Sequence, residues 1–281
     1  MSVRILTDSG CDFTREDAAK LGIEIVPVYV IYGDERLRDG IDIDRATFHR
    51  RSNAGETAKT EPATVDDYQT AYAHAIKAGN DVVLISLSSQ ISKSCENAKT
   101  AALAFPGKVY VVDSKAAGGY ESLLAEFAVE RASAGDSAEA IAKRIDPATL
   151  KGGAFFAVPD MQSMSRSGRL PKAIIALGSM LNVSLVLKMT ETGAIGPAGQ
   201  SRSFDKTCDI MVEALVRAID RSPQARIAIS HIEAPETAAT LAQLLEAKLG
   251  YKPLHFMIHE STLTLAANMG KGAVGIFAIV P

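Results

Sequence analysis

Four short apolar runs set the tightest limit on this chain: Val3 to Thr7 (VRILT), Glu24 to Ile31 (EIVPVYVI), Asp81 to Leu87 (DVVLISL) and Val109 to Asp113 (VYVVD). They are continuous rather than alternating, so the strands they form are buried on both faces, as in a parallel sheet covered by helices. The cover lies between and after them: Val65 to Ala78, Ser92 to Ala104 and Gly118 to Ala134 repeat apolar residues at three- and four-residue spacing. Thr14-Arg15-Glu16-Asp17 reads as an N-cap with an acidic first turn ahead of a short helix. Residues 1–148 are therefore expected to form a doubly wound α/β domain.

Breakers from Asp146-Pro147 to Gly152-Gly153 mark a boundary, and 149–281 is expected to be a second α/β domain with a mixed sheet. Its helices are predicted near Met161 to Arg166, 171 to 182, Phe204 to Arg221 and Pro235 to Leu249. Its strands are predicted at AFFAV, 184–189, 194–198, RIAISH and VGIFAIV. A chain of 281 residues is long enough for two such cores.

Charge and cysteine usage exclude several classes. The formal net charge is −3 and no long basic run occurs, so the electrostatic footprint of nucleic-acid binding is missing. Cys11, Cys95 and Cys208 are odd in number and far apart, the pattern of reduced thiols. The start MSVRILTDSG leads into a strand pattern without the order of a secretion signal, so a cytoplasmic protein is expected. The longest apolar stretch, Ala173 to Leu187, falls short of the ~20 residues of a membrane span and contains Ser179, Asn182 and Ser184, so no stable membrane insertion is expected.

Chemistry is concentrated where strands meet helices. Ser86-Leu87-Ser88-Ser89-Gln90-Ile91-Ser92 joins a buried strand to a helix, the place where an open α/β sheet binds ligands and where backbone N–H groups and hydroxyls attract an anion. Plain helix capping by Ser88, Ser89 or Ser92 explains the same residues. Thr60 precedes Pro62 in an extended lead-in, with Thr64 and Asp67 forming a near-capping box. The strand ends TDSG and VDSK look alike, but two short matches do not establish a repeat.

Other motifs are set aside on context. Gly270-Lys271-Gly272-Ala273-Val274-Gly275 fits GxGxxG, yet too little chain follows for a dinucleotide site; glycines there let backbone approach a ligand or a neighbouring strand. Asp39 to Asp44 reads as a turn with Asp44 capping the next helix, since EF-hand spacing is absent. The five histidines show no metal-ligand pairing, and no GxSxG elbow occurs, so no metal and no catalytic residue is assigned. Ser165 to Lys172, with Arg202 and Lys206, forms the most basic stretches, either solvated surface or an anion-steering face.

In order and spacing, TDSG, TEPAT, SLSSQISKSCENA, VVDSKAA, MSRSGRL and NMGKGAVGI together resemble the DegV family over essentially the whole chain. That resemblance implies two α/β domains enclosing a single long-chain fatty acid in an apolar tunnel. It also implies a protein that is not itself an enzyme and needs no cofactor, presenting the acyl carboxylate to a separate fatty acid kinase, as the FakB members do. On it, Thr60 and Ser92 hold the carboxylate, Ser88 and Ser89 are their neighbours, and Asn268 stands where a histidine is frequent. Arg169 and Arg202 match positions facing the kinase. Lys59 and Ser184-Leu185 also depart from the family pattern. The rival reading is a metal-dependent phosphotransferase or hydrolase using Asp8 and Asp113 on a small anionic substrate.

Overall fold

A computed structural model of the protein describes residues 2–159, 161–178 and 183–281. The first half runs β1 (Ser2–Asp8), α1 (Arg15–Lys20), β2 (Ile23–Val26), β3 (Tyr29–Tyr32), β4 (Glu35–Arg38), α2 (Arg45–Asn53), β5 (Lys59–Glu61), α3 (Val65–Lys77), β6 (Asn80–Ser86), α4 (Ser94–Ala102), β7 (Val109–Asp113), α5 (Gly119–Ser133) and α6 (Ala138–Arg144). The second runs β8 (Lys151–Ala157), α7 (Met161–Ser167), α8 (Lys172–Gly178), β9 (Ser184–Met189), β10 (Ile195–Ser201), α9 (Phe204–Ala218), β11 (Arg226–His231), α10 (Pro235–Leu249), β12 (His255–Glu260), α11 (Leu263–Met269) and β13 (Val274–Val280). Of the expected helix over 171 to 182, residues 179–182, with Ser179 and Asn182, lie outside the described residues.

Three sheets organise these elements. β2-β1-β6-β7 is the parallel sheet predicted from the continuous apolar runs, and β10-β9-β8-β13-β11-β12 is mixed, with β11 and β12 its one parallel pair. The expected single strand Glu24 to Ile31 is instead two. Pro27 has no N–H to give a ladder, the chain leaves the parallel sheet there, and β3 becomes the middle of a small antiparallel sheet, β4-β3-β5. Thr14, Asp44 and Thr64 cap α1, α2 and α3 as their spacing predicts, Thr64 in a full capping box with Asp67.

Helix α5 joins the halves. It packs against β1 and β6 on one side and β11 and β13 on the other, and one buried cluster runs from Ile5 and Ile85 through Leu123 and Leu124 to Ala228 and Phe277. The order of layers is α3 with α4, parallel sheet, α5, mixed sheet, and α9 with α10. Gly119 lets the layers close: a Cβ there would lie 2.6 Å from Phe277 Cδ2 and 2.8 Å from Ala228 Cβ. Gly119→Ala is therefore expected to cost about 1–3 kcal/mol through overpacking, read as a lower denaturant midpoint; an unchanged midpoint contradicts this packing.

Candidate functional site

The turn after β6 is clamped from both sides. Asp8, ending β1, accepts from Gly10 N at 2.9 Å and from Leu87 N at 3.2 Å. Asp113, ending β7, accepts from Lys115 N at 2.9 Å and from Ser89 N at 3.3 Å. The likeness of TDSG and VDSK thus has a physical basis: each aspartate bonds its own backbone two residues on and also reaches the loop leaving the strand between them.

Within that turn the serines part company. Ser88 Oγ donates to Gly193 O at 2.7 Å and Ser89 Oγ to Asp113 Oδ2 at 2.6 Å, so both hydroxyls serve the loop. Ser92 lines the cavity described below. Helix α4 starts two residues later than expected, at Ser94, whose N–H donates to Ser92 Oγ at 3.1 Å.

A cavity of about 760 Å³, counting its mouth, opens beside Ser92, lined by residues of both halves of the chain. Most of its wall is apolar, including Val28, Leu87, Phe156, Met164, Ile195 and Phe277. Its polar side chains are Thr60, Ser92, Thr264, Asn268 and Arg169. A mostly apolar wall with a few convergent polar groups is the pattern that small-molecule sites show.

Arg169 is the centre of the polar group. Its Nε donates to Ile91 O at 3.1 Å, Nη1 to Ser167 O at 3.0 Å and to Asn268 Oδ1 at 2.6 Å, and Nη2 to Thr60 Oγ1 at 3.1 Å. A guanidinium has five N–H groups, which leaves one on Nη2. Thr60 Oγ1 also accepts from Asn268 Nδ2 at 3.2 Å, and its own proton has no acceptor among the described residues. Asn268 is fixed by a further bond from Nδ2 to Thr264 O at 2.6 Å. Burial pulls the Arg169 pKa below its ordinary value, and among the described carboxylates none forms an ion pair with it.

Structure thus brings Thr60, Ser92 and Asn268 together and adds Arg169, which the family pattern alone placed on a docking face. Arg202 is exposed at the end of edge strand β10 and is not in the cavity wall. Thr264 was missed by sequence reasoning because a threonine inside the first turn of α11, after the Thr262 N-cap position, reads as an ordinary helix residue. The glycines of the GxGxxG match serve close packing: a Cβ on Gly275 would meet Phe277 at 2.5 Å and one on Gly272 would meet Pro159 at 2.7 Å.

Behind the cavity lie buried carboxylates. Asp8 is pushed up to about 6 by burial, against the hydrogen bonds from Ser86, Gly10, Leu87 and Tyr68. Burial likewise pushes Asp12 up to about 6 and Glu121 well above the usual range. Among the described residues no three His, Cys, Asp or Glu side chains are grouped to hold a metal, and Asp8 and Asp113 are both engaged by loop N–H groups.

The three-sheet α/β framework with a cavity between its halves defines the class of fold, and comparison places it. Residues 2–280 match the family described as "Uncharacterised protein, DegV family", and the chain belongs to that family. It is 29% identical to a DegV domain-containing protein of Deinococcus radiodurans, with 98% of each chain covered. A DegV family protein from Thermus thermophilus, described by its fatty acid binding, shares 26% identity with a TM-score of 0.89, both chains covered in full. DegV of Bacillus subtilis, described as a fatty acid binding protein, also shares 26% identity, with a TM-score of 0.86 and both chains covered in full.

Asp8 makes the fold sensitive to pH. Its carboxyl holds a proton up to about pH 6 when folded but only to about 3.8 otherwise, so the folded chain binds more protons between those values and loses stability as pH rises through them. Asp8→Asn cannot ionise and escapes that loss. Its stability relative to the parent is expected to improve by on the order of 2 kcal/mol from about pH 4 to about pH 7 in urea melts; a difference independent of pH contradicts the assignment.

Proposed function

We propose that this protein binds a single long-chain fatty acid, with the tail in the apolar cavity between the two halves and the carboxylate at the corner formed by Arg169, Thr60 and Ser92. One observation carries the reading: Arg169 is a half-buried cation at the cavity wall with no ion-pairing carboxylate among the described residues. A charge partly removed from water is stabilised by a counter-charge, and the free N–H of Nη2 and the free O–H of Thr60 are the donors an incoming carboxylate needs. A tail of about 15 methylenes supplies on the order of 10 kcal/mol of gross transfer free energy, so the polar corner sets orientation and class. The relatives described as fatty-acid-binding support the same ligand.

In this reading residues 1–148 and 149–281 are the two walls of a tunnel, and the protein is a cytoplasmic carrier with no cofactor and no chemistry of its own. It presents the carboxylate to a fatty acid kinase for acyl-phosphate formation. In support, the polar corner continues into an open depression that shares Pro62, Ile91, Ser92 and Arg169 and adds Ser89, Gln90, Lys93 and Glu96, which gives a partner access to the head group. Arg202 is available to that partner as an exposed cation. No helix among the described residues is long and apolar enough to cross a membrane.

Mass spectrometry of purified protein after denaturation is expected to recover a long-chain acid in one-to-one ratio; its consistent absence contradicts the proposal. Arg169→Ala is expected to weaken acid binding roughly 10- to 100-fold and Thr60→Ala roughly 5- to 10-fold, measured by displacement of a fluorescent fatty acid. Unchanged affinity in both variants moves the head group elsewhere.

A further inference from the structure

Helix α11 supplies Thr264, Leu265, Asn268 and Met269 to the cavity wall, yet its own N-cap residue does not cap it. Thr262 turns its hydroxyl away, donating to Ser9 O at 2.8 Å and Cys11 O at 3.1 Å. The capping group comes from the far end of the chain. Asp39, just after β4, accepts with Oδ2 from Thr264 N at 2.9 Å and from Thr264 Oγ1 at 2.7 Å.

Asp39 is an expensive residue to place there. It is only 5% exposed, and it forms no ion pair with any described residue. Burial raises its pKa, with the hydrogen bonds from Thr264 and Ser9 opposing. A buried anion without a counter-charge lowers stability, so its value lies in the geometry it imposes. Thr264 and Asn268 stand one turn apart on one helix face, linked by the bond from Asn268 Nδ2 to Thr264 O. Asn268 then meets Thr60 and Arg169. Thr60 on β5 and Asp39 after β4 belong to the same small sheet region, which therefore holds α11 at both ends of that turn.

We propose that Asp39 is a positioning residue for acid recognition: by fixing the first turn of α11 it sets Asn268, and through Asn268 the Arg169 guanidinium and the Thr60 hydroxyl, where a carboxylate docks. The inference rests on the fatty-acid reading above and adds a residue that touches neither the cavity nor the ligand.

The test compares binding of palmitic acid and of hexadecanol, which has the same tail without the charge. Asp39→Asn and Asp39→Ala are each expected to lower the preference for acid over alcohol by about tenfold with the alcohol affinity unchanged. Asp42→Asn, on the same loop but paired with Arg38, is expected to keep the full preference. Should Asp39→Ala fail to fold, Asp39→Asn alone decides the matter. Equal loss of acid and alcohol binding, an unchanged preference, or equal loss in Asp42→Asn each overturns the role of Asp39 while leaving the fatty-acid reading intact. If the parent protein binds no acid at all, that reading falls and this inference with it.

Discussion

The structure turns on the guanidinium of Arg169. It joins three segments that are remote in sequence: the carbonyl of Ile91 at the entrance to α4, Thr60 on the small sheet, and Asn268 on α11. Neutral acceptors meet four of its five N–H groups and fix its plane, while its charge is left to be balanced by something other than a described side chain. Fixed hydrogen bonds without charge compensation are what a site for an exogenous anion requires: orientation is settled in advance and the remaining attraction is reserved for the ligand.

The sheet order makes this corner rigid. β6 lies between β1 and β7, so the aspartates ending the flanking strands both reach the turn leaving the central one. Asp8 pays for its position with a raised pKa, a carboxylate kept in a dry place by four hydrogen bonds. On the opposite wall α5, sandwiched between the two sheets, ties the halves into one core, so the cavity between them has firm sides. Its floor is completed by Phe277, whose ring also packs against Gly119.

Much of this was legible in the chain. Continuous apolar runs specified the parallel sheet, because burial on both faces leaves no room for alternation, and Thr14, Asp44 and Thr64 marked helix starts through local chemistry. Ser92 was legible as part of an anion-attracting turn, but its pairing with Thr60 as a carboxylate clamp emerged only from whole-chain register with a family. Less legible was whatever depended on distant contacts. Pro27 alone signalled that EIVPVYVI divides, and α11, although Thr262 and Gly270 flank it, takes its capping carboxylate from Asp39, which no local pattern reveals. Arg169 sat in a basic run that reads as solvated surface, and only the fold shows its head group turned inward.

The central claim is that Arg169 meets an ionised carboxylate. Its most direct test is the carbon-13 resonance of a carboxyl-labelled fatty acid bound to the protein, followed as pH is lowered. An adjacent guanidinium favours the charged form, so the bound carboxyl is expected to titrate below the ~4.3 of an exposed glutamate carboxyl. A bound carboxyl that titrates above that value, or one indistinguishable from free acid, would contradict the account.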